Sequence, residues 1–403
     1  MSVADEFEAA QAAKTTTGKA ALGKIAELLA RSHIDPDEIA KVTEVRLNEW
    51  QGMYKDDEGE AHVVDMEGAM VKLVPTWADG PAWPVVQQAK PATIKPRAVK
   101  KVPREDGAQT AVILPDPQIG FRRLADGTLE PFHDLRAMDI GLQILKEVNP
   151  DLVVNLGDFL DFAILSSKFV RDPSFSETTQ AAIDAAYRFL CEQRAATEPG
   201  TEVVLFEGNH DLRLPLYVIE NAKEAFGLKR AETPEAWPVM SVPFLLRLDE
   251  LDVEYVDGYP AGSYWVNDNL VLIHGSRASS VTGKTASLVV DDERVSIMYG
   301  HIHRIEEVMR TRNTRGGPKF SSASSPWCLC RIDGKVPSTK SSKITPNKPL
   351  PPRFEDWQQG LSVVTYMPGN GWFDTETIKI FEGVATYRGQ RFESRVDLMG
   401  EAA

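Results

Sequence analysis

Four of the seven histidines, His210, His274, His301 and His303, stand at or just beyond the ends of apolar runs. Asp116, Asp158 and Asn209 stand in the same kind of place. A single histidine there is more often a satisfied core residue, and a single acid at the mouth of a buried strand needs a partner, because a lone buried charge is costly. Four imidazoles, two carboxylates and a carboxamide oxygen together suit divalent Mn, Fe, Zn or Mg rather than a thiolate-preferring metal. Two such ions ~3.5–4 Å apart need a bridging ligand, which a carboxylate supplies with its two oxygens. A pair of that kind clamps a phosphoryl group and acidifies a bound water, whose hydroxide attacks phosphorus in line.

Regular elements must hold these residues. The runs "AVILPD" to Asp116, "DLVVNLGD" to Asp158, "TEVVLFEGNHD", "NLVLIHGS" and "VSIMYGHIH" read as strands. Helical patterns over about 134–147 and 177–195 separate the first three. Alternating strands and helices imply a layered α/β sheet with its site at the carboxyl ends of the strands. The stretch "LSVVTYMPGNGWFDTETIKIFEGVATYRG" reads as strands with tight turns, completing the second sheet or forming a small cap.

The order of these motifs resembles the calcineurin-like metallophosphoesterases: Asp116-Pro117-Gln118, Gly157-Asp158-Phe159-Leu160-Asp161, Gly208-Asn209-His210-Asp211, His274-Gly275 and Gly300-His301-Ile302-His303. The resemblance covers about residues 108–310 and implies a layered β-sandwich flanked by helices. It implies two divalent ions, Mn before Mg, Fe or Zn. Asp158 would bridge them, with Asp116, Gln118 and His303 completing the first site and Asn209, His274 and His301 the second. His210 would act on the substrate, stabilising the transition state or protonating the leaving oxygen. Asp161 is either the acid that orients His210 or simply an acid at a helix start. Gln118 stands where histidine is commoner in the family. Its neutral oxygen could ligate, hold a water or leave a position open, and it shifts preference towards Mn or Mg. Phe162-Ala163 replaces the Arg-Gly of the family's Ser/Thr protein phosphatases, and Asp211 replaces their Glu, so a protein-phosphatase activity is disfavoured.

A chain of 403 residues exceeds one comfortable core and predicts an appended domain. Residues 1–89 read as a helix-turn-helix-like and hairpin module. Leu22, Ile25 and Leu28 recur at helical spacing, and Asp35-Pro36-Asp37-Glu38 caps a helix to Lys41 that another follows over Glu44 to Trp50. Packing is the preferred role for these helices over sequence reading, since acids outnumber bases there. Residues 51–75 read as a hairpin, 90–107 as a basic Pro-rich linker and 108–395 as the phosphoesterase domain. A helical leader before such a domain also resembles phage-encoded phosphoesterases, which raises nucleic-acid metabolism among the possible roles.

The net charge of −14 excludes indiscriminate nucleic-acid binding, yet residues 304–353 hold eleven Lys or Arg against three acids. Gly, Ser and Pro make this segment a predicted loop near the site. Arg304, Arg310, Arg312 and Arg315, with Arg277 after His274, would grip further phosphates, and Phe320 and Trp327 would stack on bases; the alternative is a solvated surface. No apolar run approaches the ~18 residues of a membrane span. The acidic N-terminus is no secretory signal, and three cysteines make no disulfide framework, so the expected compartment is cytoplasmic. The preferred reading is a nuclease. A phosphodiesterase or phosphatase of small nucleotides, and a DNA-binding adaptor with a weakened site, are the alternatives.

Overall fold

The computed structural model describes residues 39–55, 60–75, 107–166, 173–232, 237–292, 295–338 and 355–396. The chain divides into two units, Met1–Ala82 and Trp83–Ala403. The helical pattern of Leu22, Ile25 and Leu28 and nearly all of the linker over 90–107 lie outside the described residues. Among those described, no helix is long and apolar enough to cross a membrane.

The first unit holds two long antiparallel strands, β1 (Ile39–Lys55) and β2 (Ala61–Pro75), paired from Ile39 opposite Pro75 to Lys55 opposite Ala61 with register shifts between Ile39 and Lys41 and between Val42 and Glu44. The hairpin over 51–75 is therefore present, but it begins much earlier than the sequence suggested. The helices to Lys41 and over Glu44–Trp50 are replaced by β1, and the helix-turn-helix reading loses them. The alternation Val45-Arg46-Leu47-Asn48 and the β-branched Ile39, Val42 and Thr43 fit a strand. Pairing with β2 satisfies the backbone of this stretch, which outweighs its helical pattern.

The second unit is built on two sheets. The larger has the order β17-β16-β15-β14-β3-β6-β7-β8. One half of it, from β3 (Gln109–Leu114) through β6 (Leu152–Asn155) and β7 (Glu202–Phe206) to the edge strand β8 (Val253–Val256), runs parallel. A small hairpin of β4 (Phe121–Arg123) and β5 (Leu129–Pro131) follows β3. The smaller sheet has the order β12-β13-β11-β10-β9. Its members are β9 (Ser263–Asn267), β10 (Leu270–Ile273), β11 (Ser296–Tyr299), β12 (Ile305–Thr314) and β13 (Gly317–Pro326).

Side chains alternate along a strand, so β3 sends Ala111 and Ile113 to one face and Val112 and Leu114 to the other. The first face meets Leu270, Leu272 and Met298 of the smaller sheet. The second packs on α1 (Leu135–Val148) and α2 (Thr179–Ala196) through Ile140, Ile144, Phe189 and Leu190. Asp134 caps α1, its carboxylate accepting from the N–H groups of Arg136 and Ala137. Two short helices, α3 (Arg213–Asn221) and α4 (Val242–Leu245), lie between β7 and β8 in sequence. On the outer face of the smaller sheet, α5 (Lys284–Asp292) covers Val271, Ile297 and Tyr299 with Ala286 and Val290. The result is the helix-flanked sandwich that the sequence implied.

Two expectations are corrected. The C-terminal strands β14 (Gln359–Tyr366), β15 (Phe373–Phe381), β16 (Val384–Tyr387) and β17 (Gln390–Glu393) join the larger sheet, neither completing the smaller one nor forming a cap. Beside β3, β14 buries Leu361 and Val363 towards the helices and Val364 and Tyr366 between the sheets, as a central strand must. The basic segment is also no loop over its described first part, since β12 and β13 form a hairpin there. Ser321, Ala323 and Ser325 are buried in β13, where small side chains suit close packing; Pro318 sits on the overhang beyond the pairing with β11. Residues 339–353 of that segment lie outside the described residues.

Candidate metal and catalytic site

The strands β3 and β6 end together, and their chains stay paired beyond the sheet. The N–H groups of Gln118 and Ile119 donate to the carbonyls of Asp158 and Phe159 (2.9 and 2.8 Å), and Asp161 donates back to Ile119 (2.9 Å). Asp116, Gln118 and Asp158 have φ of 42°, 46° and 46°, and His301 and His303 have φ of 72° and 57°. Left-handed backbone at non-glycine residues is costly and collects where surrounding structure imposes it. Here it turns five side chains towards one volume.

Two groups of candidate ligands share Asp158. One is Asp158, His274 and His301, the other Asp116, Asp158 and His303, and within each group the ligand atoms lie within 4.8 Å of one another. Asn209 joins the His274 group, the second site, its Oδ1 3.3 Å from His274 Nε2, and Gln118 joins the Asp116 group, the first site, its Nε2 3.2 Å from His303 Nε2. Asp158 Oδ1 is 3.3 Å from His274 Nε2, and Asp116 Oδ1 is 3.3 Å from His303 Nε2. His274 donates from Nδ1 to the Leu156 carbonyl at 2.7 Å, which turns Nε2 towards the centre. The carboxylates also fix the histidine-bearing turns. Asp116 accepts from the His301 N–H (3.0 Å) and Asp158 from the His210 N–H (2.8 Å).

The electrostatics favour positive charge at this centre. Burial would raise the Asp158 carboxyl, but His210 and His274 hold it well below its usual range. Burial would lower His274, but the charge and hydrogen bond of Asp158 raise it to about 10. Burial and then the neighbouring His274 lower His301 to about 4, so that imidazole is neutral and free to ligate. Buried Gln118 Oε1 and His301 Nδ1 have no hydrogen-bond partner, which is the sort of orphan that a cation satisfies. A half-turn of the Gln118 amide exchanges Oε1 and Nε2, so its oxygen can face the cation position. The donor set, with no thiolate, fits a hard or borderline divalent ion.

Glycines permit the crowding. A side chain at Gly208 would collide with the backbone and carboxylate of Asp158, and one at Gly157 with the His274 ring. Substitution at either would push a candidate ligand aside.

His210 sits beside this centre, buried, with Nε2 3.8 Å from Asp158 Oδ2 and Nδ1 3.1 Å from Asp161 Oδ2. Asp161 is thus a partner of His210, and Arg213 donates to its carbonyl (2.6 Å) and carboxylate (3.4 Å). Arg213 was not anticipated; its only sequence signal is its place two residues after the Gly-Asn-His-Asp block. Asp211 was noted only as a departure from glutamate. Its buried carboxylate accepts from the N–H groups of Phe159 (3.1 Å), Leu160 (2.9 Å) and Gly208 (2.9 Å), tying the Asp158 and Asn209 turns together. Cys330 lies against the first group, its Sγ 4.0 Å from His303 Nδ1, and all three cysteines are buried and free.

The five arginines are placed differently. Arg304 is buried, paired with Glu306 at 2.9 Å. Strand alternation turns Arg310 and Arg312 towards α5. Arg310 meets Asp291 (3.2 Å), and Arg312 donates to the Val290 and Asp291 carbonyls at the end of that helix. Such pairing is what a cationic side chain at a helix C-terminus does well. Arg277 and Arg315 are exposed. The hairpin starts next to His303, but ten residues of β12 at ~3.3 Å each carry its tip roughly 30 Å away. Arg315 therefore does not adjoin the centre, contrary to the expectation for this segment. Phe320, near the tip, is 72% exposed.

Residues 129–313 match the family model of the calcineurin-like phosphoesterases. No curated protein matches the chain. Among solved structures, the nuclease MPE of Pseudomonas putida matches at 16% identity, covering 66% of this chain and 87% of its own, with a TM-score of 0.26. So distant a likeness lends this chain neither substrate nor mechanism.

Proposed function

We propose, for a chain that belongs to the calcineurin-like phosphoesterases and is thereby a metal-dependent phosphoester hydrolase, that it is a phosphodiesterase acting on nucleic acid through two divalent ions, Mn before Mg, Fe or Zn. The observation that carries the two-ion reading is the membership of Asp158 in both groups of ligand atoms. Asp116, Gln118, Asp158 and His303 would hold one ion, and Asp158, Asn209, His274 and His301 the other. When bound, such a pair neutralises phosphoryl oxygens and makes a water acidic enough to act as nucleophile near neutral pH.

The chain's own contribution centres on His210. Asp161 accepts a hydrogen bond from Nδ1–H and fixes the ring, while Arg213 holds Asp161. The proton for the leaving oxygen then resides on Nε2, the nitrogen turned towards Asp158 and the substrate volume. The buried Asp161 carboxylate thus holds the ring in the orientation that this donation requires.

The nucleic-acid reading draws on exposed cations that a small substrate could not reach. A phosphate at the centre and a contact at Arg315 or Lys319 are separated by roughly 30 Å, about nine steps of a B-form strand at ~3.4 Å each. A second reading, small nucleotides, is favoured by the engagement of Arg304, Arg310 and Arg312 within the protein. The double variant Arg315→Ser with Lys319→Ser separates them. On a polynucleotide it should weaken binding and flatten the salt dependence by about 0.7–0.9 in log–log slope for each lost contact. Turnover of bis-p-nitrophenyl phosphate under Mn should stay unchanged, and an Asp158→Asn control should abolish it. An unchanged polynucleotide salt slope would put the small-nucleotide reading first.

A further inference from the structure

A tyrosine that belongs to none of the metal motifs stands at the rim of the second group of ligands. Tyr259 lies in the turn between β8 and β9, half-buried, with its ring centroid 5.7 Å from that of His274 and the planes at 60°. The turn is fastened to the candidate site. Glu207, the residue before Gly208-Asn209, accepts from the N–H groups of both Gly258 and Tyr259 at 3.0 Å, and its own N–H donates to the Val256 carbonyl at 2.9 Å. One carboxylate thus sets the tyrosine turn against the turn that carries Asn209 and His210.

The Tyr259 hydroxyl itself makes no hydrogen bond with the described residues. A neutral phenol is a donor at neutral pH. Its ring packs on His274, whose Nε2 lies 3.3 Å from both Asp158 Oδ1 and Asn209 Oδ1, atoms that would share a cation. A hydroxyl without a protein partner beside those atoms is a candidate donor to a group bound there. For a phosphoesterase this is the phosphoryl group, whose non-bridging oxygens gain charge as the reaction proceeds.

We infer that Tyr259 is a substrate-contacting residue whose hydroxyl donates a hydrogen bond to a non-bridging oxygen of the phosphoryl group on the second-metal side, and that Glu207 is its positioning residue. The inference rests on the phosphoesterase reading. A hydrogen bond to a charged oxygen of this kind corresponds to roughly a 10- to 100-fold effect.

The test uses the full chain loaded with Mn, bis-p-nitrophenyl phosphate as substrate and inorganic phosphate as a competitive inhibitor. Tyr259→Phe should keep the wild-type metal content, lower kcat/KM roughly 10- to 100-fold and weaken phosphate inhibition. Glu207→Ala should reproduce that loss, whereas Glu207→Gln, which keeps an acceptor oxygen for the two N–H groups, should restore most of it. Wild-type kcat/KM and phosphate inhibition in Tyr259→Phe would overturn the inference. So would a loss seen in Tyr259→Ala but absent from Tyr259→Phe, which would assign the ring to packing on His274. A fall in metal content in Tyr259→Phe would also overturn it, by making the hydroxyl a support of the metal site. The Asp158→Asn control keeps the outcomes apart: activity that survives it means the phosphoesterase centre is wrongly located, whatever Tyr259 does.

Discussion

Replacing Asp211 by alanine tests how the site is held together. The change strips the acceptor from three buried N–H groups, those of Phe159, Leu160 and Gly208. Each orphan costs about 1–3 kcal/mol, so the loss is about 3–9 kcal/mol, against the roughly 5–15 kcal/mol that a domain has in total. One effect opposes it. Burial and the charge of Asp158 push the Asp211 carboxyl up to about 7, and removing that strained group returns about 4 kcal/mol at most above neutral pH. A carboxyl raised in the fold gives stability that is full below its unfolded value and is lost as pH rises through about 7. The deficit of the variant without metal should therefore be larger at pH 5 than at pH 8. Divalent ions beside Asp158 cancel most of its repulsion on Asp211, so at pH 8 the deficit should grow again when Mn is added. Urea unfolding of both proteins, with Mn and with chelator, measures these differences directly. A deficit under about 1 kcal/mol in the Mn-loaded protein would refute the tie between the two turns.

Other changes address single roles. His210→Ala should retain the metal content and lose about 10²–10⁴-fold in turnover. Metal loss in parallel with activity would instead make His210 a ligand. Gln118→His should tighten the first site and extend activity to Zn, because imidazole is the better ligand for that ion. Titration calorimetry with Zn reads this, and an unchanged affinity would turn Gln118 away from the metal.

The sandwich was legible because its strands are short apolar runs that stop at polar residues, as Leu114-Pro115-Asp116 and Leu156-Gly157-Asp158 do. The same break in hydrophobicity marked the residues that the fold gathers around Asp158. Asp161 left two readings open, and only packing brings it to 3.1 Å from His210. Asp211 acts on N–H groups up to 52 residues away, a relation that no local pattern encodes. Tyr259 is set by a backbone turn and a glutamate far behind it in the chain, so no motif announces it. Where local signals misled, tertiary pairing was the reason. The helix read over Glu44 to Trp50 gave way to pairing with β2, and a serine-rich stretch became β13 because small residues pack there. The basic segment looked uniform as a sequence, but alternation along β12 turns Arg310 and Arg312 onto α5 and leaves Arg315 outside.

The most direct measurement is of Mn itself, by stoichiometry and electron paramagnetic resonance on the wild type and on Asp158→Asn. If Asp158 joins two sites, the wild type binds two Mn per chain and shows the spectrum of an exchange-coupled pair, as ions ~3.5–4 Å apart must. In Asp158→Asn the coupled spectrum disappears and at least one ion is lost. One uncoupled Mn per wild-type chain, or a coupled pair that survives Asp158→Asn, would contradict the account.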